Sequence, residues 1–352
     1  MTHQFGTVSS TLDLSSAGKR TGFFGFTHSD NRYGFSTIQS PIGVIASGTG
    51  PTVLVCGGNH GDEYEGQIIV RRLYEMLVPE DLTGRLLLAS ALNMPAVQAV
   101  SRNSPLDDGN LNRSFTGTAF AGPTQDIAGF IATHLIAEAD LAIDIHSGGK
   151  ISNYLDTAYF CLSTDADQNR QTMALASVMG LPYTMVVPAS DTHGDFDSAA
   201  HAAGCAMISC ELGGEAKVSL SSLEAGWQGV LRLLVHQGVL RREAAHRLGV
   251  LPPPATRFVD LGVSAAFVTA QAHGLAEPLV RLGDVVEAGQ PLMQLRDLYR
   301  LDAEAEQLTS TQAGIISIIR TTPIVAPGDH LCVVCPELSR DAVEEKIADS
   351  AI

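Results

Sequence analysis

Two histidines and two glutamates in this chain stand where apolar runs end, and their types are those that hold a divalent ion and move a proton. In VLVCGGNHGDEYEG, residues 53–66, an apolar run turns on two glycines and at once presents His60, Asp62, Glu63 and Glu65. Two readings compete. Either the acids decorate a polar helix N-terminus, where they favour the positive end of the helix dipole, or the stretch is half of a metal site at a strand's carboxyl end. His60 and Glu63 are three apart where a strand passes into a helix, and such side chains share one helical face about 5–6 Å apart. A catalytic zinc usually takes three protein ligands and leaves one position for water. The third candidate is His146 in DLAIDIHSGG, where apolar residues and Asp144 carry the chain to a small-residue turn. Alone, such a histidine reads as a satisfied core or turn residue; two strand-terminal histidines with a spaced glutamate favour the metal.

A further apolar run, CAMISCELGGE, delivers Glu211 ahead of two glycines. If it faces the same pocket, its carboxylate can take a proton from an activated water and return it to a leaving amine. Otherwise it is a cap or loop acid, as Glu215 is. Asp62 and Glu65 read as first-turn helix acids. Asp144 shares a strand face with His146 and could orient a ligand; an edge ion pair is the equal alternative. Between these, RNSPLDDGNLNRSF, residues 102–115, places Arg102, Asn112 and Arg113 in a turn-rich polar loop. Guanidinium groups recognise carboxylates through paired hydrogen bonds, which suits a substrate with an anionic end and a reaction that builds an oxyanion. Solvated loop charge is the plain alternative. His193 and Asp195, after a later apolar run, are further candidates to contact substrate.

These residues need a scaffold that gathers strand ends. From Pro51 to about Leu240, apolar runs at 52–57, 85–92, 140–146, 158–163, 183–188 and 205–211 alternate with helix-period stretches at 63–79, 125–139, 166–179, 195–203 and 219–240. That order predicts βαβ units, hence an α/β fold with a mostly parallel or mixed sheet flanked by helices. Ligands in such sheets bind at the carboxyl ends of strands. Three prolines in LGVLPPPATRF, residues 248–258, cannot continue a helix and mark a boundary. Beyond them, short β-type runs with Gly-Asp turns suggest a small barrel or sandwich. The expected division is an N-terminal β-rich segment at 1–48, a catalytic α/β unit at 49–247 and a C-terminal β unit at 256–338. The phrase RLGDVVEAGQPL resembles the turn of biotinyl and lipoyl carrier domains, which display a modified lysine. No lysine occurs between Lys217 and Lys346, so that resemblance implies architecture only.

Composition narrows the partners. With 352 residues and 45% hydrophobic content the chain can bury a large core, and the ordinary domain size suggests about two domains. No stretch approaches the roughly 20 apolar residues of a membrane helix, and the first residues lack a basic and apolar leader, so a cytoplasmic protein is expected. A formal charge of −16 repels phosphate backbones and argues against nucleic acid. Six cysteines in a chain of this length are no disulfide scaffold. The Cys332–Cys335 pair supplies only half of a tetrahedral site. The expected partner is a small molecule, with assembly into homo-oligomers left open.

The ordered set GGNHGDEYEG, ALNMPA, Arg102, GNLNRSF, DIHSGG and CELGG resembles the succinylglutamate desuccinylase and aspartoacylase family of the zinc carboxypeptidase superfamily, over about residues 50–335. The resemblance implies one Zn²⁺ per chain on His60, Glu63 and His146, with Glu211 as general base and acid. It implies Arg102 for the carbonyl oxyanion and Asn112 with Arg113 for a substrate carboxylate; the spacer between Arg102 and Asn112 is longer than in aspartoacylases. The wording NHGDEYEG, NRSF and DIHSGGK is most similar to the deacetylases of Nα-acetyl-L-2,4-diaminobutyrate in ectoine degradation, implying an N-acyl amino acid substrate. Deacylation of another N-acyl amino acid, a zinc carboxypeptidase and an idle small-molecule-binding homologue are the alternatives.

Overall fold

The computed structural model describes residues 2–31, 34–188, 194–262 and 267–350. Its strands, in chain order, are β1 (His3–Phe5), β2 (Val8–Ser10), β3 (Gly18–His28), β4 (Ser36–Ala46), β5 (Thr52–Gly57), β6 (Arg85–Ala89), β7 (Leu141–His146), β8 (Ser152–Tyr154), β9 (Thr157–Cys161), β10 (Tyr183–Val187), β11 (Ala206–Glu211) and β12 (Arg257–Asp260). They continue with β13 (Phe267–Thr269), β14 (Gly274–Pro278), β15 (Val285–Val286), β16 (Pro291–Arg296), β17 (Glu306–Thr309), β18 (Gly314–Arg320), β19 (Ile324–Val325), β20 (His330–Cys335) and β21 (Glu337–Leu338). The helices are α1 (Glu65–Met76), α2 (Met94–Ala99), α3 (Pro123–His134), α4 (Ala166–Met179), α5 (Phe196–Ala202), α6 (Leu220–His236), α7 (Arg242–Arg247) and α8 (Arg340–Ser350). No helix among the described residues is long and apolar enough to cross a membrane.

A mixed α/β architecture results. Twelve strands form one sheet in the order β1-β2-β3-β4-β6-β5-β7-β11-β9-β10-β12-β21. Its centre, β6-β5-β7-β11, is parallel, while the long β3–β4 hairpin joins that centre antiparallel through β6. Each central strand serves two cores by alternation. Val53, Val55, Leu141, Ile143, Ile145, Ile208 and Cys210 face a core shared with α1, α4 and α6. Leu54, Cys56, Ala142 and Met207 face the opposite core, with α3 and α5. Asp144, His146 and Glu211 stand in the second register, at the strand ends where that core stops.

Past the prolines the chain first adds β12 to the large sheet beside β10 and then builds two smaller sheets, β13-β20-β18-β15 and β17-β16-β14-β19. These share one apolar cluster that includes Val286, Leu292, Leu295, Ile316, Leu331 and Val334. The chain then returns β21 to β12, and α8 packs its Val343 and Ile347 with Met173 of α4. β8 crosses the other way: it leaves the segment after His146 and pairs with β18, Tyr154 opposite Ile318.

The first turn of α1 lies unusually close to the sheet. A Cβ on Gly66 would come within 2.6 Å of the Ile145 carbonyl oxygen, so only glycine lets the helix start there. Gly66→Ala should therefore push α1 off β7 and cost about 1–3 kcal/mol, as overpacking does. Chemical denaturation checks this, and an unchanged midpoint with an unchanged slope would show that the helix has room to yield.

Candidate active site

Three buried side chains meet at the carboxyl ends of β5 and β7. His60 and Glu63 sit in the turn between β5 and α1, ahead of the helix rather than on it, because α1 begins only at Glu65. Gly61 between them packs so tightly on α2 that an added Cβ would lie 2.0 Å from the Ala96 carbonyl carbon, and its N–H donates to the Ser101 carbonyl at 2.9 Å. Held this way, the turn points both side chains inward. His60 Nδ1 lies 2.7 Å from Glu63 Oε1 and His146 Nδ1 lies 2.8 Å from Glu63 Oε2. The two ring centroids are 5.0 Å apart, and all three residues are at most 7% exposed.

The outward nitrogens are anchored as well. His146 Nε2 lies 2.9 Å from Asp144 Oδ2, which also accepts from Asn59 Nδ2 at 2.8 Å. His60 Nε2 lies 3.2 Å from Asn110 Oδ1. An acceptor behind each ring fixes its orientation and leaves the Nδ1 lone pair for the centre. One donor atom from each of His60, Glu63 and His146 lies within 4.8 Å of the others. Two imidazoles and a carboxylate, converging and braced from behind, fit a zinc-type ion. Asn59 and Asn110 escaped the reading of the sequence although each stands inside a quoted motif; their partners are long-range, and only Asn59 has a site histidine beside it in the chain.

Glu211 ends β11 directly opposite His146 in the parallel register. It is half-buried, and its Oε2 is a buried atom without a hydrogen-bond partner among the described residues. Burial, with the Glu63 charge second, pushes its carboxyl up to about 8. At Glu63 burial would act the same way, but His60 and His146 outweigh it and hold that carboxyl well below the usual range. A divalent ion beside Glu211 would favour its ionised, proton-accepting form. Arg102 brings Nη1 to 3.6 Å from Glu63 Oε1 while its side chain remains 56% exposed, which places a cation at the open side of the cluster.

Asn112 and Arg113 follow Asn110 on the same loop. The Asn112 Oδ1 accepts the Phe196 N–H at 2.9 Å, tying the loop to the start of α5. Arg113 is exposed and donates to the Asn112 carbonyl. Asp195 caps α5 through the Ser198 N–H at 2.7 Å, and His193 lies outside the described residues. A cavity of about 410 Å³ opens elsewhere, between the β3–β4 hairpin and α2 beside His28, Ser36 and Gln98; it contains none of these groups.

The sequence pattern of the succinylglutamate desuccinylase/aspartoacylase catalytic domain matches residues 49–237. An N-alpha-acetyl-L-2,4-diaminobutyric acid deacetylase from Halomonas elongata is 32% identical over 327 residues, covering 93% of this chain and 94% of the relative. The product-bound ectoine utilization protein EutE (DoeB) from Ruegeria pomeroyi superposes with a TM-score of 0.89 at 32% identity, over 95% of this chain and all of the other. A succinylglutamate desuccinylase from a Silicibacter species gives a TM-score of 0.89 at 28% identity, over 95% and 99% of the two chains. Fold and site together define a hydrolase that acts on amide bonds. The chain belongs to the succinylglutamate desuccinylase/aspartoacylase family.

The titrating groups set the pH response of the metal-free protein. Glu211 is raised from 4.5 to about 8 and Glu65 from 4.5 to about 7, so between about pH 5 and 8 the folded state holds protons that the unfolded chain has lost. Stability then falls as pH rises through that window. His146, also raised, adds the same sign above its ordinary 6.5. Melting in chelator should drop from pH 5 to pH 8, and saturating zinc should flatten the trend; a melting temperature that climbs with pH in chelator contradicts these assignments.

Proposed function

We propose that this protein is a zinc-dependent deacylase that removes the acetyl group from an Nα-acetyl amino acid, with Nα-acetyl-L-2,4-diaminobutyrate of ectoine degradation as its substrate. The observation that carries the reading is the buried His60–Glu63–His146 cluster with the unpartnered Glu211 carboxylate on the adjoining strand end. Its substrate choice is supported by the likeness, over nearly the whole chain, to the Halomonas deacetylase and to the Ruegeria ectoine utilization protein. We read residues 1–48, 49–247 and 256–338 as an N-terminal β segment, the catalytic unit and a barrel-sandwich-like module.

Zinc held by His60, Glu63 and His146 would lower the pKa of a water from about 16 toward about 7 and polarise the acyl carbonyl. Glu211 takes the proton from the attacking water and later delivers it to the departing amine nitrogen, so that one carboxyl serves as base and then as acid. Arg102, on the open side of the cluster, stabilises the negative charge that develops on the carbonyl oxygen. Arg113 and Asn112 hold the α-carboxylate; the exposed guanidinium offers a planar fork for it. Asp144 and Asn110, behind the outward ring nitrogens, keep both imidazoles correctly turned throughout. The products are the free amino acid and acetate.

Glu211→Gln should keep its zinc yet lose turnover by about 10²–10⁴, the usual worth of a positioned proton carrier, whereas His60→Ala and His146→Ala should lose metal and turnover together. Metal analysis beside single-turnover assays separates the two outcomes, and full activity in zinc-replete Glu211→Gln would remove its role. A screen of zinc-loaded protein against N-acyl amino acids, reading liberated amine, tests the substrate. Release of C-terminal residues from peptides would instead make it a carboxypeptidase, and no turnover of any member would make it a binding protein.

A further inference from the structure

Two carboxylates beside Glu63 have no part in the reaction just described. Asp62 is 5% exposed and Glu65 fully buried, and each spends one oxygen on a backbone N–H far along the chain. Asp62 Oδ2 accepts from Lys150 at 3.0 Å, and Glu65 Oε1 accepts from Ser219 at 3.2 Å. Lys150 lies in the loop that follows His146, and Ser219 in the loop that follows Glu211 and caps α6. The approach of Asp62 is close enough to need Gly149, where φ is +56° and a Cβ would lie 2.8 Å from Asp62 Oδ2. Asp62 Oδ1 and Glu65 Oε2 are buried with no partner among the described residues. Half-satisfied buried acids are costly, so a purely structural tie is a poor reason for two of them.

The two loops are also fastened to each other. Gly148 and Tyr154 both donate to the Gly213 carbonyl, at 3.1 and 3.0 Å, and Ala216 donates to Gly149 at 2.9 Å. On its far side the first loop is held by Thr321, whose Oγ1 donates to the Lys150 carbonyl at 2.7 Å and whose N–H donates to Ile151 at 2.8 Å. Among the described residues, Asp62 and Glu65, together with Glu63 through the Ser147 N–H at 3.3 Å, link this fastened pair, through side chains, to the turn that carries His60 and Glu63.

We infer that Asp62 and Glu65 are positioning residues: they clamp the loops after His146 and Glu211 onto the Glu63 turn and so fix the spacing of metal ligands and proton carrier. The inference rests on the reading of the site given above. Its test compares Asp62→Ala and Glu65→Ala with Asp62→Asn and Glu65→Gln, which keep an acceptor oxygen. Three quantities are read: amide exchange at Lys150 and Ser219, zinc affinity by chelator competition, and kcat and KM separately. The alanine variants should lose protection at the matching amide and bind zinc about 10–100-fold more weakly, the usual effect of removing an outer support. Their kcat should fall by a similar factor with KM nearly constant, and the amide variants should recover most of both losses. Alanine variants that melt earlier but keep zinc affinity and kcat would reduce the pair to structural ties and overturn the inference. Should the unaltered protein bind no zinc, the functional reading fails on that result; unchanged exchange at Lys150 and Ser219 in the alanine variants would overturn the clamp whatever the metal does.

Discussion

The Glu63 carboxylate, buried between two imidazoles, is the constraint around which the rest of the molecule is arranged. A lone ionised carboxylate in an interior is prohibitively costly, and here it is met on both oxygens, by His60 at 2.7 Å and His146 at 2.8 Å, with the Ser147 N–H at 3.3 Å from Oε2. Each of those partners is itself braced from behind. Glu211, one strand away, is half-buried with one oxygen that has no partner among the described residues, and its carboxyl moves up while that of Glu63 moves down. Two acids of one residue type are thereby shifted in opposite directions by their surroundings alone, the separation that the proposed roles of ligand and proton carrier require.

The fold achieves this with the two-residue period of the strand. In β7 the odd positions Leu141, Ile143 and Ile145 fill the core under α1 and α6, while the even positions run Ala142, Asp144, His146 on the other face. A slip of one residue would bury the imidazole in that core and expose an isoleucine. β11 repeats the pattern in register, so Ser209 and Glu211 lie beside Asp144 and His146. The functional groups thus need no special loop on two of the three elements; they are the last positions of ordinary strands.

That is why so much of the centre was legible beforehand. Apolar runs announced β5, β7 and β11, and the polar residue ending each run named His146 and Glu211 directly. The chain was less informative wherever pairing is non-local. Helix α1 starts at Glu65 instead of 63 because Glu63 turns inward to the imidazoles, a demand no local propensity encodes. Asp62 and Glu65 looked like first-turn acids; Glu65 does open α1, but both are buried against loops that follow other strands. The edge strands supplied by the N-terminal hairpin, and the return of β12 and β21 to the large sheet after the prolines, depend on partners distant in sequence.

The segment after His146 also changes what the small C-terminal sheets are for. Strand β8 belongs by sequence to the catalytic region, yet it pairs with β18, and Thr321 in the next turn holds Lys150 and Ile151. The stretch from His146 to Tyr154 therefore hangs between two supports, the Glu63 turn on one side and the small sheets on the other. Burial supports the same view: Tyr154, Leu155 and Tyr159 pack with Ile315, Ile318, Val333 and Cys335 in one cluster. A displacement of those sheets cannot leave the loop beyond His146 unmoved, because Lys150 takes part in both attachments, its N–H to Asp62 and its carbonyl to Thr321. The small sheets are in that physical sense a support for the candidate site, and their stability bears on where the loop after His146 is held.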